Sequence, residues 1–415
     1  MNPDERYPQY SDPILANGFR AAGDLDDFSA PAPAVTAKTN FFSQGGDLDE
    51  LSLDDRDCVT IGRHSSNDLT AHRTHLSARH AQIAREGSGY VLTDLGSDLG
   101  TYVNGEKISG PVRLNQGDHI SMADVNVSFR DGKLVYDKFS TESRSVDFSR
   151  RKDSERPVIL SANIQDKTVK HHSGFGTKTL IKDIRMDIRE GTLVALLGTA
   201  GAGKTTVMNC LNGMELVGVR GSVIYRGVDL TKDFERMKYM IGSVPQKKVF
   251  HAAFTPEEEF RQSAILRLPG DTTDKEIKAR VDKTLEMLSM NGVRKSKNST
   301  LSGGEQTRVN VGIELVADRD LLCLDEPDQG LSPNYKHELF MILQNLAHNY
   351  GKTVLSIIHD VSEIDVFDQV IMLAKVDGVG RLAFSGSPAE AREYFGCEIR
   401  DAYALLEREP ERFVK

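Results

Sequence analysis

The segment Gly198–Thr205, GTAGAGKT, follows directly on the apolar run Leu193–Leu197 and spells G-x-x-x-x-G-K-T. Gly198, Gly201 and Gly203 let the backbone turn its N–H groups inward on a phosphate, and Thr199, Ala200, Ala202 and Thr206 complete the binding set. The helix N-terminus adds positive potential, Lys204 reaches the outer phosphates, and Thr205 offers a hydroxyl to Mg²⁺. Farther on, LLCLDEP sets four apolar residues ahead of Asp325 and Glu326. A buried strand of that kind delivers carboxylates to its C-terminal edge. Asp325 suits Mg²⁺ held through water, and Glu326 suits the polarisation of a water beside a γ-phosphate. Together these residues point to cleavage of a nucleoside triphosphate.

Such side chains need a strand–loop–helix unit and a neighbouring parallel strand, so an α/β domain is expected from residue 158 to 415. Upstream, short β-like runs (CVTIGR, HAQIAR, GYVLTDL, TYVNGEKI, HISMA, VNVSFR, KLVYD) recur at intervals near ten residues, separated by Gly, Asn, Asp and Ser. They predict an all-β sandwich over 46–137. Residues 1–45, rich in Pro, Ala, Asp and Ser, read as a disordered acidic tail, and 138–157 as a flexible linker. A chain of 415 residues with 39% hydrophobic content has ample material for such cores.

The net charge of −9 argues against wholesale nucleic-acid binding. The four cysteines lie far apart without C-x-x-C spacing, so reduced thiols are expected. No apolar run approaches the roughly 20 residues of a membrane span, and the N-terminus lacks a signal-peptide pattern. A cytoplasmic protein, peripheral at the inner face of the plasma membrane, is the expectation.

LSGGEQ, Leu301–Gln306, completes a series with the glycine loop, Gln246 in GSVPQ, the Asp325–Glu326 pair and His359 in SIIHD. In this order they resemble the ATP-binding-cassette (ABC) family over about residues 158–396. The resemblance implies a P-loop NTPase fold with a helical subdomain, using ATP and Mg²⁺. It implies that Ser302, Gly303, Gly304 and Gln306 contact the γ-phosphate of ATP held by an opposite subunit, in a homo- or heterodimer. Thr205, Gln246 and Asp325 become the Mg²⁺ set, and Glu326, His359 and Gln246 the catalytic set. The D-loop departs from the family: Ser332 stands where an aspartate is usual, with Asp328 and Gln329 upstream. Phe175 is the candidate for stacking on adenine, with His171 and His172 as alternatives. The C-terminal segment looks like the G-type branch of ABC transporters. There, Val249, Phe250 and Phe254 fall where a permease docks; equally, they can pack under their own helices.

GRHSSND, LSARHAQI and DLGSDLGTYVNG resemble the forkhead-associated (FHA) domain, a β-sandwich that reads phosphothreonine. The resemblance implies that Arg63 and Ser77 meet phosphate, that His80 braces the loop, and that Asn104–Gly105 form a supporting turn. Arg79 supplies further positive charge, since Ala78 has no side-chain donor to offer. The family's S-x-N-G appears here as Ser97–Gly100 with Asp98 and Leu99 in its middle. An inward Asp98 would repel phosphate by about 4 kcal/mol at 4 Å and an effective dielectric near 20. Two readings stand: a weak phosphothreonine reader, or a sandwich that binds an unmodified partner or stiffens the chain. Thr36, Thr39 and Thr141 are candidate phosphothreonines for a self-reading switch. His64, His72, His75 and His80 lack regular ligand spacing for zinc and are expected to face water.

The leading expectation is an ATP-hydrolysing subunit driving a separately encoded permease, with the FHA domain regulating it or binding a phosphothreonine protein. The rivals are a soluble ABC ATPase acting as a switch and a nucleotide-binding phosphopeptide adaptor. Intact Glu326 counts against the adaptor.

Overall fold

In the strand Cys58–Gly62, Val59 and Ile61 are buried while Cys58 faces solvent, the two-residue period of a sheet with one face on a core. The computed structural model describes residues 48–137, 156–170 and 176–414. The expected tail and most of the linker, with Thr36, Thr39 and Thr141, lie outside them, as do Phe175, His171 and His172.

Residues 48–137 form two packed sheets. One runs Leu48–Ser52, Lys133–Asp137, Val125–Arg130, His119–Met122, Thr101–Val103, Glu106–Lys107 in spatial order; the other runs Leu69–Thr70, Cys58–Gly62, Ala81–Glu86, Gly89–Asp94, Val112–Arg113. Leu92, Ile83 and Ile61 from one sheet meet Ile120, Val127 and Leu134 from the other in a single apolar core. Asn104 and Gly105, at φ 53° and 89°, make the tight turn into Glu106–Lys107.

From Val158 onward the chain builds a ten-stranded sheet. Leu193–Gly198 lies between Gln369–Val376 and Thr353–Ile357, parallel to both. Next come Leu321–Asp325 and Ile241–Val244, again parallel. The central strand is apolar at every position because both faces are covered: Leu193, Ala195 and Leu197 enter one core, Val194 and Leu196 the other. The parallel strands thereby bring the glycine loop, Asp325 and His359 to one edge.

A helical subdomain inserts between Ile241–Val244 and Leu321–Asp325, with helices Pro256–Arg267, Asp274–Met287 and Gly303–Leu315. Each starts on a capping box, at Thr255/Glu258, Thr273/Glu276 and Ser302/Glu305. Among the described residues no helix is long and apolar enough to cross a membrane.

Candidate functional site

Buried strand Leu193–Gly198 ends where helix Lys204–Leu211 begins, and the loop between them needs glycine at two left-handed positions, Gly201 at φ 72° and Gly203 at φ 83°. A Cβ on Gly203 would lie 2.6 Å from Ile181 Cγ2, so even without the backbone requirement a side chain would not fit. Lys204 folds back into the loop, its Nζ donating to the Gly198 carbonyl at 3.0 Å. Burial lowers the Lys204 pKa, while Glu326 and Asp325 pull against that shift. A cradle of backbone donors with one half-buried ammonium fits a polyphosphate.

Across the edge, Glu326 occupies a left-handed backbone position at φ 49°, an uncommon conformation for glutamate. Its carboxylate is held on both sides. His359 Nε2 lies 2.6 Å from Oε1, Gln246 Nε2 donates to Oε2 at 2.9 Å, and Gln329 Nε2 donates to Oε2 at 3.2 Å. Gln246 also donates to Gln329 Oε1 at 3.1 Å. Gln329 is a member of this cluster that sequence reasoning placed only in the neighbouring loop; its spacing of three residues from Glu326 was the available signal. Burial raises the Asp325 pKa, and the adjacent Glu326 charge raises it further. The Thr205 hydroxyl, the Gln246 amide oxygen and the Asp325 carboxylate are all hard oxygen donors, a set that fits Mg²⁺. Among the described residues no cluster of three His, Cys, Asp or Glu side chains suits a metal.

At the signature, Ser302 caps helix Gly303–Leu315. Its hydroxyl accepts from Glu305 N and donates to Glu305 Oε2 at 2.8 Å. The hydroxyl is therefore engaged within its own chain. Lys248, two residues beyond Gln246, donates to Gln306 Oε1 at 2.8 Å and to the Gly303 carbonyl at 3.5 Å. One short segment thus touches Glu326 at one end and the signature helix at the other, a link that sequence reasoning did not find. In the D-loop, Ser332 precedes helix Pro333–Tyr350 without a side-chain cap bond, and buried Asp328 lies 3.8 Å from Lys336. Val249 is 55% exposed, whereas Phe250 packs against the core and Phe254 is half-buried beside His251.

In the sandwich, Asp94 organises the DLGSDLG loop. It accepts from Gly96 N, Ser97 N, Ser97 Oγ and Thr101 Oγ1 at 2.6–2.9 Å. Burial would raise its pKa, but the hydroxyls of Ser97 and Thr101 hold it low. His80 is buried with Nδ1 accepting from Ser77 N and Nε2 reaching the Gly100 carbonyl at 3.2 Å, and burial lowers its pKa. His75 is buried as well. His80 therefore braces the loop as the resemblance implies, while the expectation that the loop histidines face water fails for it and for His75, because the loops that they occupy pack inward.

That second contact is the main departure from the sequence reading. Arg63 points at the helical subdomain: Nη1 donates to Asp271 Oδ1 at 2.6 Å, and Nε to Glu276 Oε1 at 3.1 Å. Ala78 N donates to Asp271 Oδ2 at 2.6 Å, and Gly270 N donates to Asp98 Oδ2 at 2.9 Å. Asp98 is thus exposed to solvent while its carboxylate accepts a backbone N–H of the other domain. Leu99 lines a cleft with Tyr102, Arg236 and Tyr239. Ser77 is buried, its Oγ accepting from Asp98 N at 3.3 Å, and Arg79 is exposed.

Residues 181–329 match the ABC transporter family model and residues 59–123 the FHA domain. The ABC transporter ATP-binding/permease protein of Mycobacterium tuberculosis is 31% identical over 356 residues, which are 85% of this chain and 38% of that protein. ABC transporter G family member 26 of Arabidopsis thaliana is 29% identical over 60% of this chain and 37% of its own length. A putative ABC transporter ATP-binding protein of Streptomyces coelicolor is 33% identical over 52% of this chain and 38% of its own length. The chain spans well under half the length of these curated relatives. The glycine loop, the paired carboxylates and these matches converge: the chain carries an ATPase domain of the ABC transporter type together with an FHA domain.

Proposed function

We propose that this chain is an ATP-hydrolysing subunit that couples ATP-driven dimerisation to a membrane permease, with the FHA domain as its regulatory or partner-binding module. The observation that carries it is the convergence of Gln246, Glu326 and His359 within hydrogen-bond distance at the sheet edge that bears the glycine loop. In this reading Gly198–Thr206 hold the triphosphate and Lys204 neutralises its outer charge. Glu326 accepts a proton from the attacking water, and His359 steadies that carboxylate and the γ-phosphate. Mg²⁺, when bound by Thr205, Gln246 and Asp325, would spread the charge developing on the phosphate oxygens. Ser302, Gly303, Gly304 and Gln306 serve the ATP of the opposite subunit, so the site is complete only in a dimer.

Exposed Val249, with Leu266 at 82% exposure on helix Pro256–Arg267, supports a docking face for the permease. The permease is proposed as a separate polypeptide, acting at the inner face of the plasma membrane. Purification of Glu326→Gln with ATP from detergent-solubilised membranes tests this: a dimer should co-isolate with a polytopic protein. A dimer that closes on ATP with no membrane companion instead favours a soluble regulatory ATPase. The docking of Arg63 on the helical subdomain is the observation that keeps this second reading open.

A further inference from the structure

The sandwich surface that FHA resemblance assigns to phosphate is covered in this chain by the acidic turn Pro269–Glu276, sequence PGDTTDKE, which comprises the connection after helix Pro256–Arg267 and the first residues of helix Asp274–Met287. The coverage is chemically specific. Arg63 places Nη1 on Asp271 Oδ1 at 2.6 Å, Nη2 on the Asp271 carbonyl at 3.0 Å, and Nε and Nη2 on the Glu276 carboxylate at 3.1 and 3.3 Å. The second oxygen of Asp271 takes the backbone N–H of Ala78. Only 9% of the Arg63 side chain remains exposed. Two carboxylates bring about two negative charges, close to the −1.5 to −2 of a phosphorylated hydroxyl at neutral pH. They engage the guanidinium through the charge-assisted geometry that a phosphate would use.

Asp98 belongs to the same arrangement. A carboxylate in the middle of the loop opposes phosphate, but it suits a turn that presents the N–H of Gly270 at 2.9 Å. Further contacts fix the sandwich beside this turn. Thr74 donates to Asp318 at 2.5 Å and also meets Arg280, and Arg236 lies 5.5 Å above the Tyr102 ring. The loop thus departs from a phosphate reader at the positions that touch the second domain.

We propose that the phosphate-reading site of the FHA domain is filled in cis by the acidic turn Pro269–Glu276, which stands in for a phosphothreonine, so that a phosphothreonine segment must displace the turn to bind. This deepens the regulatory reading above and rests on it. Both ligands require the Arg63 guanidinium, which Asp271 and Glu276 already occupy, so they exclude each other.

The test uses the full chain and, as probe, a phosphothreonine peptide pool with randomised flanks beside the same pool unphosphorylated. The variant Asp271→Asn with Glu276→Gln removes both charges yet leaves an acceptor at 271 and a capping side chain at 276. It should bind the phosphorylated pool at least about tenfold more tightly than the parent, and adding Arg63→Ala should abolish the gain. In the unaltered protein, excess phosphorylated pool should speed amide hydrogen exchange across residues 270–276, a readout that depends on no variant. Equal affinity of parent and variant, or exchange unchanged while the peptide is bound, overturns the in-cis ligand and leaves phosphothreonine reading intact. Absence of phosphate-dependent binding in both proteins overturns phosphothreonine reading and the displacement with it. Phosphate release from ATP, followed in the same samples, scores the ATPase reading separately.

Discussion

His359 Nε2 lies 2.6 Å from Glu326 Oε1, so the carboxylate assigned to the attacking water is already oriented by an imidazole 33 residues away in sequence. Gln246 fixes its other oxygen, and an uncommon backbone angle sets its direction. A base held this way accepts a proton without first reorganising. Glu326→Gln preserves size and hydrogen bonding while removing basicity. It should retain ATP, and its steady phosphate release should fall by a factor of about 10²–10⁴. His359→Ala should also slow release at unchanged ATP affinity, because its partner here is the proposed base. A Glu326→Gln protein that still turns over at the parental rate would remove Glu326 from the mechanism.

Lys248 gives a second handle. It ties the segment carrying Gln246 to Gln306 at 2.8 Å, and burial lowers its pKa. If the signature helix and Glu326 communicate through this segment, Lys248→Met should cut phosphate release several-fold while equilibrium ATP binding stays within about twofold. A hydrogen bond to an ionised group contributes about 1.5–3 kcal/mol when well formed, and partial exposure reduces that here. Equal losses in binding and turnover would instead show that the lysine serves only the nucleotide pocket.

The signature helix has its own structural demand. Gly312 faces Phe260, and a Cβ there would meet Phe260 Cζ at 2.2 Å and Leu288 Cδ1 at 2.9 Å. Gly312→Ala gains up to about 1 kcal/mol of helix propensity but overpacks a closed core at about 1–3 kcal/mol, so a net loss of stability is expected. Denaturant unfolding should show it, and Phe260→Leu in the same chain should restore part of the loss.

What could be read from sequence was what the chain writes locally. GTAGAGKT is one uninterrupted segment whose glycines are dictated by loop geometry, and LLCLDEP declares a buried strand with carboxylates at its end. The sandwich, too, announced itself through period-two runs broken by turn residues. The contact between domains had no such local mark. Arg63 and Asp271 stand 208 residues apart, and Asp98 and Gly270 stand 172 apart. No periodicity relates residues at such separations. Only the misfit of Asp98 with a phosphate hinted that this loop had another partner. His75 was hidden for the same reason, since burial of a loop side chain depends on what packs over it, whereas the bracing role of His80 was legible from the loop motif.

That interface should respond to acid in two separate windows. Burial lowers the His75 pKa from 6.5 to about 4, reinforced by Arg319 and opposed by Asp318, Asp124 and Asp320. Its Nε2 has no hydrogen-bond partner among the described residues. Because the folded value is depressed, the unfolded chain takes up a proton first. The associated stability is whole above pH 6.5 and is lost as pH falls toward 4. Burial would raise the Glu276 pKa, yet the hydrogen bond from Arg63 and those of Thr273 hold it at about 2, below its usual 4.5. Its contribution is therefore complete above about pH 4.5 and disappears as pH falls toward 2. Thermal unfolding across pH 8 to 2.5 should separate the two. His75→Phe should flatten the decline between pH 6.5 and 4 without changing the lower one. Glu276→Gln, which keeps the helix cap, should flatten the lower decline alone. Identical profiles for parent and His75→Phe would place the histidine in contact with solvent, and with it would go the close docking of the sandwich on Tyr239 and Asp318.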